Sequence, residues 1–168
     1  MKLKPQFESL SHYIEASEII DFGRGTSCEI AKLAHDIFLY SSNKVDFIKN
    51  AFEYVRDKIH HSADISGKVV TCKASEVLKA GEGICYAKSH LLAALLRCNL
   101  IPTGFCYQRL ILDEDEANYC IIHGLNAVYI EEFGKWIRLD ARGNKPSVNA
   151  QFSFAEEKLA FLVRTEKR

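Results

Sequence analysis

Six cysteines lie in this 168-residue chain: Cys28, Cys72, Cys85, Cys98, Cys106 and Cys120. Cys85 is placed differently from the rest. It follows the turn Gly81-Glu82-Gly83 and opens a long apolar stretch that reads as a helix to about Cys98. The first N–H groups of a helix lack intrahelical partners, and the macrodipole is positive there, so both favour thiolate over thiol. Bringing a free thiol from a pKa of about 8.5 to about 7 takes ~2 kcal/mol. The dipole supplies typically ~0.3–1 kcal/mol, so a second cation is needed, and histidine is the natural candidate.

The histidines differ in what surrounds them. His12 and His35 sit in the helical N-terminal region, and His60 and His61 close a helix, where a cation suits the C-terminal dipole. His90 lies five residues beyond Cys85 on the same expected helix and faces away from it. His123 sits in a strand-like run after Ile121-Ile122, and Asp140 ends the next run, after Trp136-Ile137-Arg138-Leu139. If these two runs pair around Gly134, His123 and Asp140 are candidates for cross-strand neighbours. A carboxylate beside an imidazole fixes its tautomer and stabilises the imidazolium, which in turn holds a thiolate; that is the chemistry of nucleophilic acyl transfer. Taken singly, each residue has a plainer role, as a packed thiol, a strand histidine or a turn aspartate. The reading rests on the set.

The elements that must position this set fall into two halves. Thr26 or Ser27 is expected to cap a helix to about Tyr40, with Ile30, Leu33, Ala34, Ile37 and Phe38 on one face. Asn43 is expected to cap a second, with Phe47, Ile48, Ala51, Phe52, Val55 and Ile59 at helical spacing. Residues 60–73 read as loop, and Ser75 to Lys79 as one short turn of helix. After Asn99 and Pro102 the texture changes. Thr103 to Leu112, Ile121 to Ile130 and Lys135 to Leu139 are rich in β-branched and aromatic residues and read as strands, and Leu159, Phe161 and Val163 suggest one more. Helices followed by a run of strands argue an α+β fold. The expected organisation is one domain over residues 1–168: a helical extension to 42, a core over 43–145, and a tail or strand over 146–168.

Lysine plus arginine equals aspartate plus glutamate, 22 each, so no long-range field gathers nucleic acid or anionic lipid, and neither is expected as a partner. The first ten residues lack the apolar stretch of a signal peptide, and no apolar run approaches the ~20 residues that span a bilayer. A reducing cytoplasm with free thiols is therefore expected. No CxxC pair occurs, so no structural zinc site and no cofactor are expected. The run Asp113-Glu114-Asp115-Glu116 reads as a solvated hairpin tip rather than a metal site, because four consecutive carboxylates do not readily converge.

Several stretches resemble a known family. Val77-Leu78-Lys79-Ala80-Gly81-Glu82-Gly83-Ile84-Cys85-Tyr86-Ala87-Lys88, with Leu91 to Arg97 and Ile101-Pro102, resembles the nucleophile segment of the transglutaminase-like superfamily. His123-Gly124-Leu125-Asn126-Ala127-Val128-Tyr129 and Gly134-Lys135-Trp136-Ile137-Arg138-Leu139-Asp140 are similar to its histidine and aspartate segments, and Tyr54-Val55-Arg56-Asp57-Lys58-Ile59 to an upstream stretch of bacterial members. The likeness covers about residues 45–145. It implies a papain-like core, with the nucleophile on a central helix packed against an antiparallel sheet that carries the other two groups. It also implies the triad Cys85, His123 and Asp140. Family members include peptide-crosslinking acyltransferases, cysteine peptidases, amidases and catalytically dead scaffolds. Calcium-dependent animal members add β-sandwich domains for which this chain has no length, so calcium is not expected.

Two departures stand out: Tyr86 and Ala87 follow the cysteine where many members carry acidic residues, and Ala141-Arg142 replaces a familiar proline. The implied reaction is acyl transfer through a thioester on a peptide or protein substrate. The Cys85 N–H is the expected first oxyanion donor, and Gln108, His60 and His61 are candidates for the second. Hydrolysis of a peptide or amide bond is expected ahead of transfer to an amine. A non-catalytic binding module on the same fold and a redox thiol protein are the alternatives.

Overall fold

The side-chain amide of Asn43 accepts the Asp46 N–H at 2.9 Å and starts a helix that carries much of the core. The structure, a computed structural model, describes residues 3–23, 28–112 and 119–162. Four helices precede the main sheet: α1 (Glu29–Leu39), α2 (Lys44–Lys58), α3 (Ala74–Ala80) and α4 (Cys85–Cys98). The stripe Phe47, Ile48, Ala51, Phe52 and Val55 of α2 is buried, as its spacing predicts. Helix α1 follows Cys28; the expected caps Thr26 and Ser27 lie outside the described residues. Helix α3 makes about two turns rather than one and ends at Gly81, whose φ of +68° is the left-handed conformation that glycine adopts without strain.

Between α2 and α4 the chain makes a feature that its texture hides. His60–His61 (β1) pairs in parallel with Glu82–Gly83 (β2), His60 opposite Glu82 and His61 opposite Gly83. Loop was expected over 60–73, and a pair of two-residue strands is too short to leave any periodicity. The large sheet is β3 (Thr103–Leu112), β4 (Tyr119–Ile130) and β5 (Lys135–Leu139), antiparallel and in that order. Gly134, at φ +58°, closes the turn into β5. The acidic run 113–116 lies outside the described residues.

Helix α4 is the axis of this α+β fold. From Ala87 to Arg97 every residue except His90 is buried, and the helix touches α1, α2 and α3 as well as β3 and β4. Its near-uniform burial explains why no single apolar face stands out in its sequence. Asn126 of β4 donates from Nδ2 to the Ser89 carbonyl at 3.0 Å, and the Tyr86 hydroxyl donates to the Ile122 carbonyl at 2.6 Å. The start of the helix lies so close to β4 that a Cβ on Gly124 would fall 2.8 Å from the Tyr86 ring. The N-terminal segment covers part of the sheet: Tyr13 lies against Gly104 and meets Trp136 edge-on, with ring centroids 4.9 Å apart. Among the described residues, no helix is long and apolar enough to cross a membrane.

The C-terminal strand suggested by Leu159, Phe161 and Val163 does not form among the described residues, and Val163 lies outside them. One bridge, Gln151 to Lys158, is all that remains of a ladder there. The backbone groups are committed to side chains instead. The Ala160 N–H donates to Asp140, and the Phe161 and Leu162 carbonyls accept from Gln108 Nε2. Apolar alternation without a strand partner thus marks a strap rather than a strand.

Replacing Leu95, wholly buried in α4, with alanine is expected to cost about 2–5 kcal/mol in urea unfolding. Asn43→Ala, which removes only a cap, is expected to cost about 1 kcal/mol with an unchanged m-value.

Candidate active site

Cys85 is the first residue of α4, so its N–H and those after it have no partner within the helix. Ile84 precedes it in extended conformation, and β2 holds that approach against β1. The sulphur is therefore delivered at a helix start whose position is fixed from both sides. The half-buried thiol makes its own contacts with the imidazoles of His123 and His61 and with the Gly124 N–H. Gly124 can serve because it lies on β4 beyond Asn126, the last β4 residue paired with β5.

The sheet brings His123 and Asp140 together. Asn126 pairs with Leu139, so one further step sets Asp140 opposite Leu125. His123 is two residues along the same face, a diagonal neighbour within reach of a long side chain. Its Nε2 lies 2.8 Å from Asp140 Oδ2. Both residues are almost wholly buried, His123 at 2% exposure and Asp140 at 1%. A buried carboxylate needs hydrogen-bond donors on its oxygens, and Asp140 takes two backbone donors besides the imidazole. The Ala160 N–H reaches Oδ2 at 3.0 Å, and the Arg142 N–H reaches Oδ1 at 3.2 Å. The Phe161 ring stands edge-on over His123 at 5.0 Å and screens the pair from water.

The electrostatics follow from these contacts. Burial pushes the Cys85 thiol up, but hydrogen bonds from His123, His61 and the Gly124 N–H outweigh it and bring the pKa from 9.0 to about 6. That is about 4 kcal/mol in favour of thiolate, well beyond what a helix dipole gives at ~0.3–1 kcal/mol. The imidazoles and the Gly124 N–H supply the difference. Burial pulls His123 down, while its bonds to Asp140 and Cys85 raise it to about 9. Near neutral pH the pair is a thiolate beside an imidazolium. Cys98 and Cys106, by contrast, are pushed up by burial.

The remaining candidates separate clearly. Gln108 spends its amide on the strap, and its Oε1 is buried without a partner. His60 is exposed. His90 bonds through Nδ1 to the Cys72 carbonyl at 2.8 Å and faces away from the sulphur, as expected. His61 is not the group that holds the carbonyls at the end of α2. That place belongs to Lys88, wholly buried on α4, whose Nζ donates to the Ile59 and Arg56 carbonyls. Burial and nearby Arg142 lower the Lys88 pKa to about 7. The only signal of this role in the sequence was a single lysine early in a largely apolar helix.

Arg142 forks onto Asp64 with bonds of 2.7 and 2.9 Å, and Lys145 adds a third at 3.0 Å. These bonds tie the turn after β1 to the turn after Asp140. Ala160, Phe161 and Arg142 carried no sign of their site role in the sequence, because they act through backbone N–H groups or through a ring brought from far along the chain.

The fold has counterparts. A family model described as the transglutaminase-like superfamily matches residues 31–141. Among solved structures, a protein of Cytophaga hutchinsonii provisionally called a cysteine protease superposes with a TM-score of 0.60 at 22% identity, over 79% of this chain and 42% of that one. The periplasmic domain of TgpA from Pseudomonas aeruginosa, solved with ethylmercury bound, superposes with a TM-score of 0.53 at 12% identity, over 73% of this chain and 46% of that one. The chain thus spans less than half the length of either. No curated protein matches it. With its family segment containing helix α4 and all three strands of the large sheet, the chain belongs to the transglutaminase-like superfamily.

Proposed function

We propose that this chain is a thiol-dependent acyl-transfer enzyme, a cysteine peptidase or amidase that cleaves peptide or amide bonds with Cys85, His123 and Asp140. The observation that carries this reading is one imidazole shared between a sulphur and a buried carboxylate. His123 bonds Asp140 through Nε2 at 2.8 Å and also bonds the Cys85 thiol, whose pKa falls to about 6. The name given to the Cytophaga hutchinsonii protein supports the hydrolytic version.

In this mechanism the Cys85 thiolate attacks the amide carbonyl. The S–C bond forms, and the carbonyl π pair moves onto oxygen. On collapse, the C–N bond breaks and the His123 imidazolium gives its proton to the leaving amine. Neutral His123 then takes a proton from water as that water attacks the thioester, and the sulphur leaves as thiolate. Asp140 holds the ring in one orientation throughout, itself held by the Arg142 and Ala160 N–H groups. The Cys85 N–H, free at the helix start, donates to the developing oxyanion.

Iodoacetamide labelling followed by peptide mass mapping is expected to find Cys85 reacting first, with a midpoint near pH 6. Half-buried Cys98 and Cys106, whose thiols burial pushes up, should stay unreactive in this range. In His123→Ala the midpoint should rise toward that of a free thiol, about 8.5. Uniform labelling of all six thiols only above that pH would sink the proposal.

Turnover should give a bell-shaped pH profile, rising as the thiol ionises near pH 6 and falling as the imidazolium is lost near pH 9. The pair adds almost no pH dependence to stability across most of that window. Relative to the unfolded chain, with a thiol at 9.0 and an imidazole at 6.5, folding only moves a proton from sulphur to nitrogen.

Asp140→Asn should lower kcat by about 10³-fold or more by misplacing the tautomer. Ammonia release from glutamine peptides, measured with and without a primary amine, separates the outcomes. Hydrolysis predicts a rate independent of the amine and no coupled product.

A further inference from the structure

His61 is the one histidine near the sulphur that the reaction above leaves unused. Three observations single it out. First, its position is built: His61 sits opposite Gly83, two residues before the nucleophile, and the bonds from His60 N to Gly81 O (2.9 Å) and from Ser62 N to Gly83 O (3.2 Å) fix β1 beside the approach to Cys85. The other end of β1 is fixed as well, since Lys88 of α4 holds the Ile59 and Arg56 carbonyls at the end of α2. Second, its imidazole reaches the Cys85 sulphur from a strand separate from the one that carries His123. Third, its Nδ1 is buried with no hydrogen-bond partner. Buried polar atoms are seldom left without a partner, so this ring nitrogen stands out.

One role accounts for the placement and the contact, and the unpaired nitrogen shows that the ring is not anchored to the protein on its other side. We propose that His61 is the second oxyanion donor of this site, opposite the backbone N–H of Cys85. This assignment rests on the acyl-transfer reading above. When the S–C bond forms and the carbonyl π pair moves onto oxygen, the negative charge leaves the sulphur for an atom next to it. A donor already directed at the sulphur shifts to that oxygen with little movement. No proton is transferred from His61. It donates a hydrogen bond as the tetrahedral intermediate forms, and the bond is lost when the C–N bond breaks and the carbonyl is restored. His123 and His61 thus divide the work: one moves a proton, the other stabilises charge. The neighbouring candidates lack the placement. His60 points to solvent, and Gln108 is committed to the Phe161 and Leu162 carbonyls.

The test compares two reactions of the same thiol. Alkylation by iodoacetamide needs the thiolate but develops no oxyanion. Acylation by p-nitrophenyl acetate, followed as the burst of p-nitrophenolate, develops one. His61→Leu is expected to slow acylation by about 100-fold or more while alkylation at pH 8 changes by less than about fivefold. His61→Gln, which keeps an N–H donor, should recover acylation to within about tenfold of the unsubstituted protein. His60→Leu should alter neither rate. A misfolded variant would lose both reactions together, so the ratio of the two rates guards against that artefact. Equal losses in both rates for His61→Leu with a native melting curve, or no loss in either, would overturn the assignment. A different pattern tests the parent reading: if the unsubstituted protein shows neither preferential Cys85 alkylation nor a burst, the acyl-transfer proposal itself fails.

Discussion

Asp140 is a carboxylate with almost no access to water, and burying such a charge is costly unless each oxygen is engaged. The donors that engage it come from three parts of the chain: the imidazole of β4, the Arg142 N–H two residues on, and the Ala160 N–H of the strap. None of these can move independently without stranding a buried charge. The strap is therefore held where Phe161 can cover His123, and His123 is held where it can meet the sulphur. The geometry around the thiol is inherited from the need to satisfy one aspartate.

Helix α4 provides the opposing constraint. Its near-uniform burial leaves it little freedom to rotate or slide, so the position of its first residue is set by packing along its whole length. Asn126 and Tyr86 add directional bonds to β4, and Gly124 permits the close approach that those bonds require. Lys88 fastens the other flank by gripping the carbonyls that end α2. Cys85 thus rests on a rigid element, as the proposed reaction, sensitive to displacements of about 1 Å, would require.

Much of this was legible in the residues. Cys85 announced itself through a Gly-x-Gly turn ahead of an apolar run, and the three large strands announced themselves through β-branched texture with Gly134 between the last two. The register was not legible. Nothing local says that Asn126 pairs with Leu139, and only that pairing makes His123 a diagonal neighbour of Asp140. The placement of His61 was hidden for another reason: two-residue strands have no period, and a histidine after a helix has a simpler reading as a dipole partner. Apolar alternation suggests a strand where the strap lies because it is blind to whether backbone groups meet a ladder or a side chain.

The fork between Arg142 and Asp64 bears on how the protein meets mild acid. The hydrogen bonds from Arg142 hold the Asp64 carboxyl well below the usual carboxylate range. Because its folded pKa is depressed, the brace it forms between the two turns persists as the medium sours and is given up only at the acid extreme. The sulphur takes up its proton far sooner. A moderate fall in pH therefore protonates the thiol while this brace still holds, and a return to neutrality restores the thiolate.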